Sequence, residues 1–201
     1  MKLPAILAAA AAILASCVAD VHRPPNETAP ASFRVALDTS RGTVVIEVTR
    51  ASGPIGADRF YSMVKAGYLD GARFFRVVPG FVAQFGLSGT PERTKAWDSP
   101  IKDDAVVPGN SNVRGTVVFA MTSDRDSRTS QLFINLADNR NLDQQRFVPI
   151  GRVVSGMENV DRFFTGYGEA PDQDLITSQG NAYLGKNFPS LDFIRTARLA
   201  P

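Results

Sequence analysis

The apolar positions of this chain change period several times, and each change marks an element. Residues 33–38 and 43–48 are rich in β-branched and aromatic side chains around Ser40-Arg41-Gly42, which predicts a hairpin. Pro54 opens a segment in which Phe60, Met63 and Val64 fall at helical spacing, with Gly67 as its cap, so one amphipathic helix follows. Further strands are expected over 115–121 and 130–136, separated by the polar loop SDRDSR, and over 147–154. Residues 157–164 read as a short helix with Val160, Phe163 and Phe164 apolar, 180–188 as another, and 193–199 as a last strand. Many short strands with few helices between them imply a mostly β fold, an antiparallel sheet closed into a barrel with helices over its ends.

One stretch breaks the pattern. Residues 73–86 read RFFRVVPGFVAQFG, an apolar run that carries Arg76 and Gln84, two long polar side chains whose burial is costly without partners. Pro79-Gly80 marks a turn inside it, so it is expected as two short strands meeting at a bend, with Arg76 and Gln84 on a common surface. After it, residues 87–112 are rich in Pro, Gly, Ser and charge. That is long for a structureless connection, and such loops are often functional.

The first residues differ from the rest. Lys2 precedes an apolar run, ending near Ser16, that is too short to span a bilayer and has the flank of a secretory signal. It closes in Leu14-Ala15-Ser16-Cys17, which resembles the bacterial lipobox, where the cysteine is lipidated and becomes the mature N-terminus. Cys17 is the only cysteine of the 201 residues, so no internal disulfide can form, and acylation removes a thiol that would be a liability in an oxidising compartment. A plain signal peptide cleaved near Ala19, or a buried structural cysteine, is the alternative. Residues 18–31 contain three prolines and little that packs, as a tether does. The organisation expected is a signal segment 1–16, a lipidated and proline-rich tether 17–31, and one globular domain 32–201. Val18, rather than aspartate, after the lipid-bearing cysteine favours the outer membrane, with the domain facing the periplasm.

Charge and composition narrow the chemistry. The formal charge is +2, with both signs scattered, which does not fit a nucleic-acid footprint. The single histidine, His22, lies in the tether, so the globular part has no Ser-His-Asp or Cys-His centre and no histidine-ligated metal. The close acidic pairs Asp103-Asp104 and Asp124-x-Asp126 are read as solvated loop charges.

The run from Phe75 to Gly86 resembles the signature of the cyclophilin family of peptidyl-prolyl cis-trans isomerases, close to F-x-R-[hydrophobic]-[hydrophobic]-P-G-F-x-x-Q-x-G. Four more motifs follow in the family's order. Residues 115–120 are similar to its G-x-[hydrophobic]-x-x-A strand and Ser130-Gln131-Leu132-Phe133-Ile134 to its S-Q-F-F-I strand. Asn141-Leu142-Asp143 is similar to its W-L-D segment, and FVPIGRVVSGM, residues 147–157, to its F-x-x-F-G-x-V-x-x-G-M element. The ending GNAYLGKNFPSLDFI resembles a bacterial subgroup with a distinctive tail. The match covers residues 33–199, and its order makes it specific.

The resemblance implies a closed antiparallel eight-stranded β-barrel capped by two or three helices. It implies an isomerase with Arg76, Phe81 and Gln84 as its catalytic set and Phe81, Phe133 and Leu142 around the proline ring, with Val82 where the family often has methionine. Ala120, Met121, Thr122 and Gln131 would line the groove for the flanking peptide. Phe147 is taken to fill the space of a histidine frequent in the family, Asn141 stands where an aromatic is common, and Met121 where an asparagine is. Those departures bear on cyclosporin affinity and substrate preference. No metal or cofactor is expected; the partners expected are proline-containing peptides and unfolded exported proteins, with a monomer tethered to the membrane. Taken singly, Phe81, Phe133 and Leu142 fit an ordinary core and Arg76 an ordinary ion pair. A proline-peptide binding module or envelope chaperone that scarcely catalyses is the competing function.

Overall fold

The computed structural model describes residues 27–201, so the expected signal segment, Cys17 and His22 lie outside the described residues. Strands β1 (Ser32–Thr39) and β2 (Gly42–Thr49) form the expected hairpin in unbroken register from Ser32 opposite Thr49 to Thr39 opposite Gly42. Their alternation sends Val35, Leu37, Val44, Ile46 and Val48 fully into the core. Helix α1 (Pro54–Lys65) begins with proline at its first turn, where a missing N–H is harmless, and buries Ala57, Phe60, Met63 and Val64. Residues 27–31 are already docked before the boundary that the proline content suggested. Ala29 N–H donates to Asp58 at 2.8 Å, Glu27 N–H to Ser62 Oγ at 2.8 Å, and Lys65 pairs with Glu27 at 2.6 Å.

The stretch 73–86 does form two short strands at a bend, β3 (Arg76–Val77) and β4 (Val82–Phe85). Helix α2 (Pro91–Trp97) follows inside the region expected to be a loop. Then come β5 (Thr116–Phe119), β6 (Leu132–Asn135), α3 (Asn141–Gln144), β7 (Pro149–Ser155), α4 (Met157–Val160), α5 (Gln173–Gln179), α6 (Asn181–Asn187) and β8 (Ile194–Ala200). The described residues thus carry six α-helices rather than two or three. Five of them have seven residues or fewer, and three of these, α2, α3 and α5, were not expected because they are too short for a helical period to show in sequence. The helix expected over 157–164 ends at Val160, and the one expected over 180–188 runs from Asn181 to Asn187.

All eight strands pair antiparallel in one sheet of order β3-β4-β6-β5-β7-β2-β1-β8. The end strands β3 and β8 share no ladder. The chain just before each meets at a single bridge, Arg73 opposite Phe193, flanked by bonds such as Phe74 N–H to Asp192 O at 2.9 Å. The main core lies inside this curled sheet, where the Phe74 ring lies between Phe85 and Phe163 with centroids 5.2 and 4.1 Å away. A smaller core, with Phe75, Leu87, Ile176, Leu184 and Leu191, seats the C-terminal helices. Gly86 joins the two regions. It takes φ +103°, and a Cβ there would lie 2.3 Å from Ser130 O, so only glycine fits.

Candidate active site

Strand alternation and register build one face outside the main core. Ala83, Phe85, Val117, Phe119, Leu132 and Ile134 enter the core, so their neighbours Val82, Gln84, Val118 and Phe133 point the other way. Arg76 pairs with Gln84, Gln84 with Phe133, and Phe133 with Val118, a single row across β3, β4, β6 and β5. The two polar side chains that looked misplaced in an apolar run therefore belong to one row that continues through Phe133 to Val118.

Within that row the guanidinium is held from two sides. Arg76 Nη1 donates to Gln84 Oε1 at 3.2 Å, and Gln84 Nε2 donates to Gln131 Oε1 at 2.8 Å. On the opposite edge, Arg76 Nε donates to Glu169 Oε1 at 2.6 Å, and Nη2 pairs with the same oxygen. The carbon of the guanidinium lies 5.4 Å from the Phe81 ring centroid, a cation–π distance. Arg76 is partly buried, at 24% exposure, while Gln84 is buried.

These groups open on a pocket of about 620 Å³. Arg76, Phe81 and Gln84 line it, and so do Val82, Ala120, Met121, Thr122, Gln131, Phe133, Leu142 and Phe147. The structure thus brings together every catalytic and peptide-binding residue of the globular part that the resemblance implied, while Asn141 does not line the pocket. Its apolar wall is a small cluster of Val82, Val118, Phe133 and Leu142 with Phe81, Ala120 and Phe147 against it. Phe133 and Phe147 meet edge to face, with centroids 5.7 Å apart at 66°. Sequence reasoning missed Glu169, and also Asp98, Ser127, Thr129, Gln145 and Gln173, which complete the rim. They sit in segments of no marked pattern and reach the pocket only through tertiary folding.

A buried amide network, also missed, supports this wall. Asn139 Nδ2 donates to Phe81 O at 2.9 Å and to Asn135 Oδ1 at 2.7 Å, and Asn135 donates to Asn112 Oδ1 at 3.1 Å. Asn112 in turn donates to Phe147 O and to Asp143, each at 2.7 Å. Asp143 also accepts from Asn112 N–H and bonds Ser111. Burial alone would push the Asp143 carboxyl up, but the bonds from Ser111 and Asn112 hold it below its ordinary value. Asn135 within the apolar run SQLFINL was the one sequence signal for this network.

The reading of Asp103 and Asp104 as solvated charges is corrected. Asp104 is buried and ion-paired to buried Arg128 at 2.9 Å, and Arg128 lies 3.5 Å from Asp103. The Asp104 carboxylate also accepts from Ile55 and Gly56 N–H at 2.8 and 2.9 Å, and so caps α1. Asp124 and Asp126 are exposed. Among the described residues, no group of three His, Cys, Asp or Glu gathers as metal ligands.

Fold and site together define a β-sheet protein with an arginine–glutamine row set against an apolar peptide-sized pocket. The sequence profile of the cyclophilin type peptidyl-prolyl cis-trans isomerase/CLD family matches residues 34–179. The chain belongs to that family. It is 39% identical over 142 residues to peptidyl-prolyl cis-trans isomerase A of Dickeya dadantii, spanning 69% of this chain and 74% of that one. It is 31% identical over 156 residues to peptidyl-prolyl cis-trans isomerase B of Escherichia coli, spanning 71% and 94%. In fold it is similar to a cyclophilin type isomerase of Cryptosporidium parvum, with TM-score 0.64 and 16% identity over 85% of this chain and 98% of that one. The same protein solved in the presence of the dipeptide Ala-Pro gives TM-score 0.63 at 17% identity, over 84% and 99%.

Proposed function

We propose that the chain accelerates cis-trans isomerisation of X-Pro bonds in peptides bound across the Arg76 pocket, and that it does so for exported proteins in a bacterial envelope. Rotation about the bond makes and breaks no covalent link; it meets a barrier of ~18–20 kcal/mol that comes from amide resonance. No nucleophile or cofactor is required for that. What lowers the barrier is a site that binds the twisted amide better than either planar form. Twisting localises the lone pair on the prolyl nitrogen, and a guanidinium beside the nitrogen or the carbonyl oxygen stabilises that distribution.

In this reading Phe81, Phe133, Leu142 and Phe147 hold the proline ring, with Val82 beneath. Gln84 and Gln131 hold the peptide backbone on one side of the bond, with Ala120, Met121 and Thr122 along it, and Arg76 meets the twisting amide. The observation that carries the proposal is the continuous Arg76–Gln84–Gln131 chain along the edge of an apolar pocket. The Cryptosporidium cyclophilin was solved in the presence of the dipeptide Ala-Pro, a compound of the same chemistry as the substrate proposed here. Ring binding alone needs the apolar wall and not the arginine, so the arrangement favours catalysis over a passive binding module.

The single bridge between Arg73 and Phe193 supports closure of the sheet into a barrel. The Leu14-Ala15-Ser16-Cys17 sequence supports a lipid anchor at Cys17 that holds a monomeric domain at the membrane, the outer one by the residue at 18. Exchange NMR on a short X-Pro peptide tests the activity. Wild type should interconvert the isomers at micromolar enzyme and Arg76→Ala should lose most of that; equal exchange rates would remove Arg76 from the mechanism. Fractionation of cells carrying Cys17→Ala tests the anchor, which fails if the variant stays membrane-bound and is processed as before.

A further inference from the structure

Glu169 is, among the described residues, the only charged side chain in contact with Arg76. The sheet does not carry it. It sits in the loop 165–170, and that loop is docked along the free edge of β3: Val77 N–H donates to Gly168 O at 3.3 Å, one residue from both partners of the ion pair. Two turns close the loop, Gly168 N–H to Thr165 O at 3.0 Å and Ala170 N–H to Tyr167 O at 2.9 Å. The Tyr167 ring is clamped between Phe164, at 4.8 Å, and Phe188, at 5.1 Å, in the small C-terminal core. The carboxylate is 63% exposed, yet its backbone is a built platform.

The contacts divide the guanidinium. Its five N–H donors form a rigid planar fork. Glu169 takes the Nε/Nη2 edge and Gln84 takes a hydrogen of Nη1. One hydrogen on each terminal nitrogen is left for a bound peptide. With Gln84 alone, the side chain could pivot about a single bond; with both, the fork is fixed at two edges. We infer that Glu169 is a positioning residue for isomerisation, presented by the C-terminal loop so that Arg76 meets the twisted amide in one orientation. The inference rests on Arg76 being the catalytic arginine. Because exposed ion pairs contribute little to stability, removal of Glu169 should read out in turnover and not in the melt.

The test compares full-length wild type, Glu169→Ala, Glu169→Gln and Arg76→Ala by exchange NMR on one X-Pro peptide, with kcat and KM resolved and the Arg76 Nε–H resonance followed. Glu169→Ala should lower kcat about tenfold, within the hundredfold that about 1 Å of misplacement can bring. Its KM and melting midpoint should hold, and the Arg76 Nε–H resonance should shift. Glu169→Gln keeps a carbonyl acceptor for Nε–H and should restore most of kcat. Wild-type or faster turnover in Glu169→Ala, a change confined to KM, or no rescue by Glu169→Gln would each overturn the positioning role. If Arg76→Ala is inactive while Glu169→Ala is normal, only the positioning role falls; if Arg76→Ala turns over like wild type, the assignment of Arg76 falls first and takes this role with it.

Discussion

Arg76 and Gln84 stand opposite each other on β3 and β4, and the bond between them orients the glutamine amide. With Oε1 accepting from Arg76, Nε2 points the other way and donates to Gln131 Oε1. Gln131 then has its own Nε2 free of protein partners among the described residues and on the pocket side. The chain runs donor to acceptor in one direction, from the guanidinium outward.

That direction predicts unequal effects from two isosteric changes. Gln84→Glu replaces the donor facing Gln131 by an acceptor and places a full negative charge on Arg76, so the relay breaks at its centre. Loss of one well-placed polar contact in a preorganised site is worth about 10²-fold or more in rate, and a kcat/KM loss of that order is expected. Gln131→Glu keeps the acceptor that Gln84 uses and removes only the outer donor, so a loss several times smaller is expected. Equal losses in the exchange assay would mean that the relay has no direction.

The aromatic wall separates stability from binding. Phe133 is buried at 5% exposure and spans the cluster beneath the pocket, whereas Phe147 is only partly buried and meets it edge to face. Phe133→Ala should destabilise by about 3–5 kcal/mol through the cavity it leaves, and weaken peptide binding as well. Phe147→Ala should raise KM while shifting the melting midpoint much less. Calorimetry beside kinetics checks both, and a larger melting loss for Phe147→Ala would contradict the burial difference.

What the sequence made legible follows from how local each feature is. The strands of residues 32–49 and 76–85 and the common face of Arg76 and Gln84 were readable because period-2 patterning and the Pro79-Gly80 turn lie within a few residues of one another, whereas the grouping of Arg76, Phe81 and Gln84 as one set came from the family resemblance of the run that holds them. Glu169 was not, because its partner is 93 residues away and its own segment, GYGEAPD, shows only a loop. Asp104 was misread for a related reason. An acidic residue in a polar segment looks solvated until α1 and Arg128 are folded onto it, and neither contact has a sequence signature. Three short helices, Pro91–Trp97, Asn141–Gln144 and Gln173–Gln179, stayed hidden because four to seven residues cannot display a helical period, whereas Met157–Val160 and Asn181–Asn187 lie inside the helices expected over 157–164 and 180–188.

Asp104 and Arg128 predict a large asymmetry between breaking and replacing a buried pair. Asp104 serves Arg128, Ile55 N–H and Gly56 N–H at once, and Arg128 also donates to Lys102 O. Asp104→Ala removes the nearer carboxylate of a buried guanidinium, leaving only Asp103 at 3.5 Å, and uncaps α1, so a destabilisation of about 3 kcal/mol is expected. Arg128 is flanked by Ser127 and Thr129, both on the pocket rim, so peptide affinity should fall too. Asp104→Asn keeps an acceptor for the helix N–H groups and should recover part of the stability. Denaturant melts of the two variants decide this, and a near-neutral Asp104→Ala would show that the pair is dispensable.

Asp143 predicts the acid side of the stability profile. Burial pushes its carboxyl up, but the hydrogen bonds of Ser111 and Asn112, with Arg140 nearby, outweigh that and leave its folded pKa below the ordinary value of about 3.9. A carboxyl depressed on folding binds more protons unfolded than folded, so its contribution is present above about pH 4 and is lost as pH falls through the folded value. The loss has a structural address, because Asn112, held by Asp143, is also what binds the Phe147 carbonyl behind the pocket. Asp143→Asn should therefore flatten the dependence of unfolding free energy on pH below about pH 4, the ordinary carboxyl value, lowering stability at neutral pH toward the wild-type value in acid. Urea melts at a series of pH values measure this directly. A variant with the same acid slope as wild type would show that other carboxylates set it, and that the amide network behind Phe147 holds without the Asp143 charge.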